Sequence, residues 1–261
     1  MIALIGGTGA LPPALAAALQ AADRPFLLCE MAGFPFDDMA DLPRHTFRVE
    51  QIGTLLADLR AKGVTEVCLA GAIRRPAFDP AAIDAATAPI LARLAPAMAQ
   101  GDDALLRAVV GVFEGAGFIV RGAHDLAPAL LPKAGVLGRV QLRPDGDATR
   151  AAAVHDALAA SDVGQALVVR RGQVLAIEAS FGTDFMLDTM EGRAGGALFY
   201  KAPKAGQDLR IDLPVVGPDT VARAAKAGIA CIAIAAGGVM ILDQTATIAA
   251  ADAAGISLWV R

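Results

Sequence analysis

Residues 2–30 read IALIGGTGALPPALAAALQAADRPFLLCE, and the order of signals in this stretch decides the fold. An apolar run at 2–5 meets the turn Gly6-Gly7-Thr8-Gly9, an alanine-rich helical stretch follows at 13–22, and a second apolar run occupies 26–29. Strand, glycine turn, helix and strand in that order are one βαβ unit, whose crossover is right-handed. The alternation continues with a short strand near 47–49, a helix at 51–62 ended by Gly63, and a strand at 66–70 closed by Gly71. Helices at 80–94 and 104–115 and a strand at 118–121 complete a Rossmann-like domain with a mainly parallel sheet.

The pattern changes after Gly122. Residues 127–141 are punctuated by Pro and Gly without helical period, which places a domain boundary near 125–135. The expected division is a Rossmann-like domain at 1–128 and a C-terminal α/β domain with a mixed sheet at 129–261. The second domain reads as a helix at 148–160, a hairpin (166–170 and 174–179) turning at Arg171-Gly172-Gln173, and a strand at 198–201. An extended segment, a helix at 220–227, strands at 229–234 and 239–242, a helix at 245–254 and a strand at 257–260 follow.

Composition excludes several classes. The 261 residues carry 23 Lys and Arg against 27 Asp and Glu, a net charge of −4, so the basic field that nucleic-acid binding needs is missing. At 55% hydrophobic and 19% charged residues the chain is not intrinsically disordered. Cys29, Cys68 and Cys231 lie far apart in apolar runs with no CxxC, which fits neither a disulfide framework nor a zinc site and suits a reducing cytoplasm. Mean hydropathy is +0.51, but the longest apolar stretch, 227–242, is broken by glycines and rich in β-branched residues. It reads as buried strands rather than a span of about 20 apolar residues. The start of the chain has no basic n-region of a signal peptide, so a cytoplasmic protein is expected.

Candidate chemistry sits in several motifs. GGTG (Gly6, Gly7, Gly9) after the first strand resembles a dinucleotide fingerprint, with Glu30 where a ribose-binding acid would stand, but Pro12 occupies the third fingerprint position. AGAIRRP ends a buried strand with Arg74 and Arg75, a forked pair suited to phosphate oxygens. GDDALLR puts Asp102 and Asp103 at a helix start, where an acid serves as a cap or binds a cation or hydroxyl. The richest stretches are IEASFGTD, with Glu178, Thr183 and Asp184, and KAPKAGQDLRIDLP, with Lys201, Lys204, Asp208, Arg210 and Asp212. If the second is extended, Asp208, Arg210 and Asp212 share one face, the alternatives being a metal and phosphate site or a surface salt-bridge ladder. No HExxH, GxSxG or Walker lysine motif is present.

In order along nearly the whole chain, GGTGALP, AGAIRRP, GDDALLR, DVGQALVV, VLAIEASFGTDFML, KAPKAGQDLRIDLPVVGPDTV and AGIACIAIAAGGVMILD resemble one family. It is the UDP-2,3-diacylglucosamine diphosphatases of the LpxI type, enzymes of lipid A biosynthesis. The resemblance implies two α/β domains with the substrate between them, hydrolysis to UMP and 2,3-diacylglucosamine 1-phosphate (lipid X), and a magnesium requirement. It implies an essential acid at Asp212; the charge cluster around it makes Asp184 and Lys201 further catalytic candidates and Asp212 and Glu178 the candidate metal ligands. The motif chemistry makes Gly6, Gly7, Gly9, Arg75, Asp102, Asp103, Thr183, Lys204, Asp208 and Arg210 the expected substrate contacts. Two departures stand out: Phe181 where relatives carry Glu, and Ala72 where they often carry a polar residue. Weak peripheral contact with the inner membrane follows from such a substrate, and apolar terminal strands are compatible with a homodimer. The competing readings are an NAD(P)-dependent reductase built on GGTG and a non-catalytic nucleotide-sugar or lipid-binding relative.

Overall fold

A computed structural model describes every residue except 38, 40–41, 74–77, 99 and 101, and all side chains of those but Asp102 and Ala160. The chain forms two compact units, Met1–Pro128 and Ala129–Arg261. The first runs β1 (Ile2–Gly6), α1 (Leu11–Ala21), β2 (Phe26–Met31), β3 (Arg44–Phe47), α2 (Ile52–Ala61), β4 (Glu66–Ala70), α3 (Ala88–Met98), α4 (Asp102–Gly115), β5 (Ile119–Arg121) and α5 (Ala123–Leu126). Among the described residues its strands form one all-parallel sheet in the order β3-β2-β1-β4-β5, the order of a doubly wound α/β sheet. Central β1 is buried along its whole length, as a strand covered on both faces must be.

Two expected elements move. The helix expected at 80–94 starts at Ala88. Asp79 accepts the Ala81 N–H at 2.9 Å and caps a single turn (Pro80–Ala82), Ile83 is extended, and Asp84 then caps the helix by accepting the Thr87 N–H at 2.6 Å. The third strand lies earlier than 47–49, at Arg44–Phe47, where Phe47 pairs with Met31.

The turn between β1 and α1 shows why it needs glycine. A Cβ on Gly6 would lie 1.6 Å from the Ala70 carbonyl oxygen, and one on Gly7 would lie 2.4 Å from that of Ala72. Strands β1 and β4 leave the sheet side by side, and Thr8 and Ala72 exchange backbone hydrogen bonds at 3.2 and 2.8 Å. Pro12, the departure from the fingerprint, is buried over Gly71.

Glu50 is a buried acid of this unit, 1% exposed. It accepts the Asp79 N–H at 2.8 Å and the Arg48 guanidinium at 3.1 and 3.2 Å. These bonds hold its pKa down at about 2, the backbone donor contributing most, against an ordinary 4.5. The stability gained is therefore complete above the unfolded value of 4.5 and is lost as pH falls through about 2. Thermal melts over this acid range should show Glu50→Gln less stable than the parent at neutral pH, with the gap closing on acidification; a pH-independent gap would sink the account.

The second unit runs β6 (Gly135–Leu137), α6 (Asp145–Leu158), β7 (Ala166–Arg170), β8 (Gln173–Ile177), α7 (Gly182–Thr189), β9 (Ala197–Lys201), β10 (Val215–Val216), α8 (Pro218–Ala227), β11 (Ile229–Ile234), β12 (Met240–Ile241), α9 (Gln244–Ala254) and β13 (Ser257–Val260). Its main sheet is mixed, in the order β6-β13-β11-β9-β7-β8, with β9, β11 and β13 parallel and β6, β7 and β8 antiparallel to their neighbours. The hairpin turns at Arg171 and Gly172, whose φ values of 52° and 77° are those of a two-residue primed turn. Alternation along β9 divides the core. Leu198 and Tyr200 pack with Ala148 and Ala151 of α6, whereas Phe199 packs with Leu187, Val221 and Ala251 of α7, α8 and α9. Tyr200 is thus a core residue, its ring edge-on to buried His155 at 5.9 Å.

The apolar stretch at 227–242 resolves into β11, a turn and β12, and no described helix is long and apolar enough to cross a membrane. Cys29 on β2, Cys68 on β4 and Cys231 on β11 are free and buried.

Candidate active site

Three strands of the second unit bring their chemistry to one sheet edge. Register pairs Ala166, the first residue of β7, with Lys201, the last of β9, and pairs Leu167 with Ile177, the last of β8. Gln165 just before β7, Glu178 just after β8 and Lys201 therefore meet at the edge where β9 and β11 end, the carboxyl edge at which α/β sheets bind ligands.

Lys201 follows Phe199 by two residues and points to the same face, toward α7. It is 7% exposed, and its Nζ donates to Thr183 Oγ1 at 2.7 Å in the first turn of α7. Burial pulls its pKa below the ordinary value, opposed by the negative charges of Glu178, Asp184 and Asp212. Half-buried Asp212 is pushed the opposite way, above the usual carboxylate range, chiefly by burial. Lys204, a hydrogen bond from Gln165 and Lys201 hold it down, while Glu178 adds to the rise. A buried ammonium beside a carboxylate that binds its proton more readily than usual is a setting for moving a proton or neutralising an anion.

The expected segment at 208–212 is a turn, not an extended strand. The N–H groups of Ile211 and Asp212 donate to the Asp208 carbonyl at 3.1 and 3.4 Å. The cause is local: Asp208 accepts from both the Arg210 N–H at 3.1 Å and the guanidinium at 2.6–3.2 Å, folding the chain back. Asp208, Arg210 and Asp212 consequently do not form one extended face. Asp212 joins the Lys201 cluster, its negative charge acting on the Lys201 ammonium and its Oδ2 accepting from Gln165.

The remaining candidates fall in different places. Asp184 is largely exposed at the start of α7 and lies 3.5 Å from Arg223 Nε. Lys204 pairs with Asp162. Asp103 forms a helical surface pair with Arg107 at 2.9 Å. Arg75 and the side chain of Asp102 lie outside the described residues. In the first unit the Gly9 N–H donates to Asp37 Oδ2 at 2.6 Å. Glu30 accepts from the Phe36 N–H at 3.0 Å and from Arg44 at 2.8 Å, so the acid that a ribose would need already has partners.

Two participants were not anticipated. Gln165 Nε2 donates to Asp212 Oδ2 at 2.9 Å, and Gln207 Nε2 donates to the same oxygen at 2.5 Å. Both lie inside quoted motifs (DVGQALVV and KAPKAGQDLRIDLP), but a neutral amide leaves no trace in a charge pattern. Phe181 and Phe185 are 77% and 53% exposed, with ring centroids 4.8 Å apart.

Comparison with known proteins gives these positions a family. Residues 1–130 match the LpxI N-terminal domain and residues 133–259 the LpxI C-terminal domain. The UDP-2,3-diacylglucosamine pyrophosphatase LpxI of Caulobacter vibrioides is 39% identical over 266 residues, covering 98% of this chain and 95% of that protein. With both domains matched in order and the likeness running end to end, the chain belongs to the LpxI family.

Proposed function

We propose that the chain hydrolyses the diphosphate of UDP-2,3-diacylglucosamine, releasing UMP and 2,3-diacylglucosamine 1-phosphate, a step of lipid A biosynthesis. The observation that carries the reading is the meeting of buried Lys201 with Asp212 and Glu178 at one sheet edge, in a chain 39% identical to a pyrophosphatase of that substrate. In the reaction a water oxygen bonds to one phosphorus, the bridging P–O bond breaks, and the bridging oxygen leaves on the other phosphate. The attacking water must lose a proton, and we read Asp212 as the acid that orients this water and takes that proton. Negative charge grows on the phosphoryl oxygens, and fixed cations stabilise it most where water is excluded. Lys201 is such a cation, with Thr183 orienting its ammonium, and Asp184 and Glu178 favour its charged form.

Magnesium belongs to the same proposal. Among the described residues no three His, Cys, Asp or Glu side chains converge as a cage. Mg²⁺ needs none, since it keeps several waters and takes one or two carboxylates together with substrate phosphates. The donor set fits: Asp212 Oδ1 receives no hydrogen bond from the described residues, and Glu178 stands beside it across Gln165. Asp212 and Glu178 would hold the ion, which when bound supplies positive charge to the diphosphate oxygens. Lys204, Asp208 and Arg210, with Gly6, Gly7, Gly9, Arg75, Asp102 and Asp103 of the first unit, are read as substrate contacts. The enzyme is read as cytoplasmic and in weak peripheral contact with the inner membrane, with apolar terminal strands compatible with a homodimer.

Incubation with UDP-2,3-diacylglucosamine, followed by nucleotide chromatography, tests the reading. UMP should appear in step with substrate loss, cease with EDTA and return with Mg²⁺. Tight substrate binding without UMP would select the non-catalytic relative, and turnover indifferent to EDTA would remove the magnesium.

A further inference from the structure

Gln165 and Gln207 reach Asp212 from opposite sides of the fold's connectivity. Gln165 is fixed by the sheet edge: its carbonyl accepts the Ala202 N–H at 3.0 Å, and its own N–H donates to Glu178 Oε2 at 3.2 Å. Its side-chain amide then spans to Asp212 Oδ2 at 2.9 Å, so one residue touches both acids of the cluster. Gln207 lies in the turn that carries Asp212. Its Oε1 accepts the Lys204 N–H at 2.8 Å, which fixes which end of the amide faces the acid. Its Nε2 donates to Asp212 Oδ2 at 2.5 Å and also to the Asp212 carbonyl.

Both amides thus fall on one oxygen. A carboxylate offers about four lone-pair directions over two oxygens, and two donors on Oδ2 fill that oxygen's share. The terminal torsion of an aspartate is broad and roughly two-fold, so without these bonds the two oxygens would exchange roles. Neutral donors also suit the task. A Lys or Arg here would make a stronger, charge-assisted bond and neutralise the carboxylate, whereas an amide orients it and leaves its charge available.

We propose that Gln165 and Gln207 are positioning residues that pin Oδ2 of Asp212 and thereby make Oδ1 the working oxygen. The inference rests on the reading of Asp212 as the acting acid. Gln165→Met and Gln207→Met keep side-chain length and remove both donors. Each should lower kcat about tenfold, within the 10–100-fold typical of groups that orient a site residue, and leave KM within about twofold. The decisive arm is a cycle with Asp212→Asn: in that background neither Met substitution should lower the residual rate further. If Asp212→Asn keeps the parent rate, the assignment of the acid fails and this inference with it. If Asp212→Asn loses activity while the Met variants keep the parent kcat, or lose it equally in both backgrounds, the positioning role alone is overturned. The glutamines sit on separate elements, so should one variant melt early the other still decides.

Discussion

Asp212→Asn is expected to leave a folded protein that releases UMP about a thousandfold more slowly, in the range of a lost general base. Asparagine matches aspartate in shape but carries no charge and accepts no proton. Stability should not suffer. Burial already raises the proton affinity of Asp212, so its charged form costs the fold stability at neutral pH, and a neutral replacement relieves that cost. The expected pair of results is a melting temperature equal to or above the parent's and a nearly silent nucleotide chromatogram. Parent-like turnover by the folded variant would remove Asp212 from the reaction.

Gly6→Ala has the largest expected effect on stability, about 3 kcal/mol, the upper end of overpacking costs. Gly6 pairs with Glu30 of β2 on one side and Ala70 of β4 on the other, in the centre of a parallel sheet. The atom a new methyl would meet, 1.6 Å away, is a backbone carbonyl oxygen, which cannot move aside as a side-chain end can. Relief requires separating β1 from β4 at the turn, and with them the paired backbone of Thr8 and Ala72. Gly9 is a useful contrast, since nothing lies within 4 Å of its Cβ position, although its φ of +104° still disfavours a side chain. Chemical denaturation of the two Ala variants should rank Gly6 well below Gly9; equal losses would mean that close backbone approach is not what selects Gly6.

Much of this fold was legible because apolar runs and glycines mark strand ends. The strand at Glu66–Ala70 lies where the pattern places it, and the hairpin turns where expected but one residue tighter, Gln173 pairing with Arg170 as the first residue of β8. The displaced helix was misread for a definite reason: Asp79-Pro80 is a genuine helix-start signal, but it opens one turn and stops, and Asp84 starts the lasting helix. In the site, Glu178 and Lys201 were legible as charges closing apolar strands, and Asp212 as an acid between apolar neighbours. The turn at Asp208 was hidden because a side chain that captures its own neighbour's backbone overrides alternation. Gln165 was hidden because its contact with Asp212 depends on register across β7 and β9, and Gln207 because its contact depends on how the 204–212 turn folds, neither of which a charge pattern carries.

Among the described residues the buried thiols divide unevenly between the units, and this gives the protein a native optical handle. Cys29 and Cys68 lie in the first sheet and Cys231 in the second, each enclosed, with burial pushing its pKa up to about 12. A thiol protected in this way meets a maleimide or Ellman-type dye only when its surroundings open. Cys231→Ser leaves a chain whose labelling rate clocks opening of the first unit, and a Cys29→Ser, Cys68→Ser chain clocks the second. Whether the halves breathe together or apart thus becomes a question for a spectrophotometer.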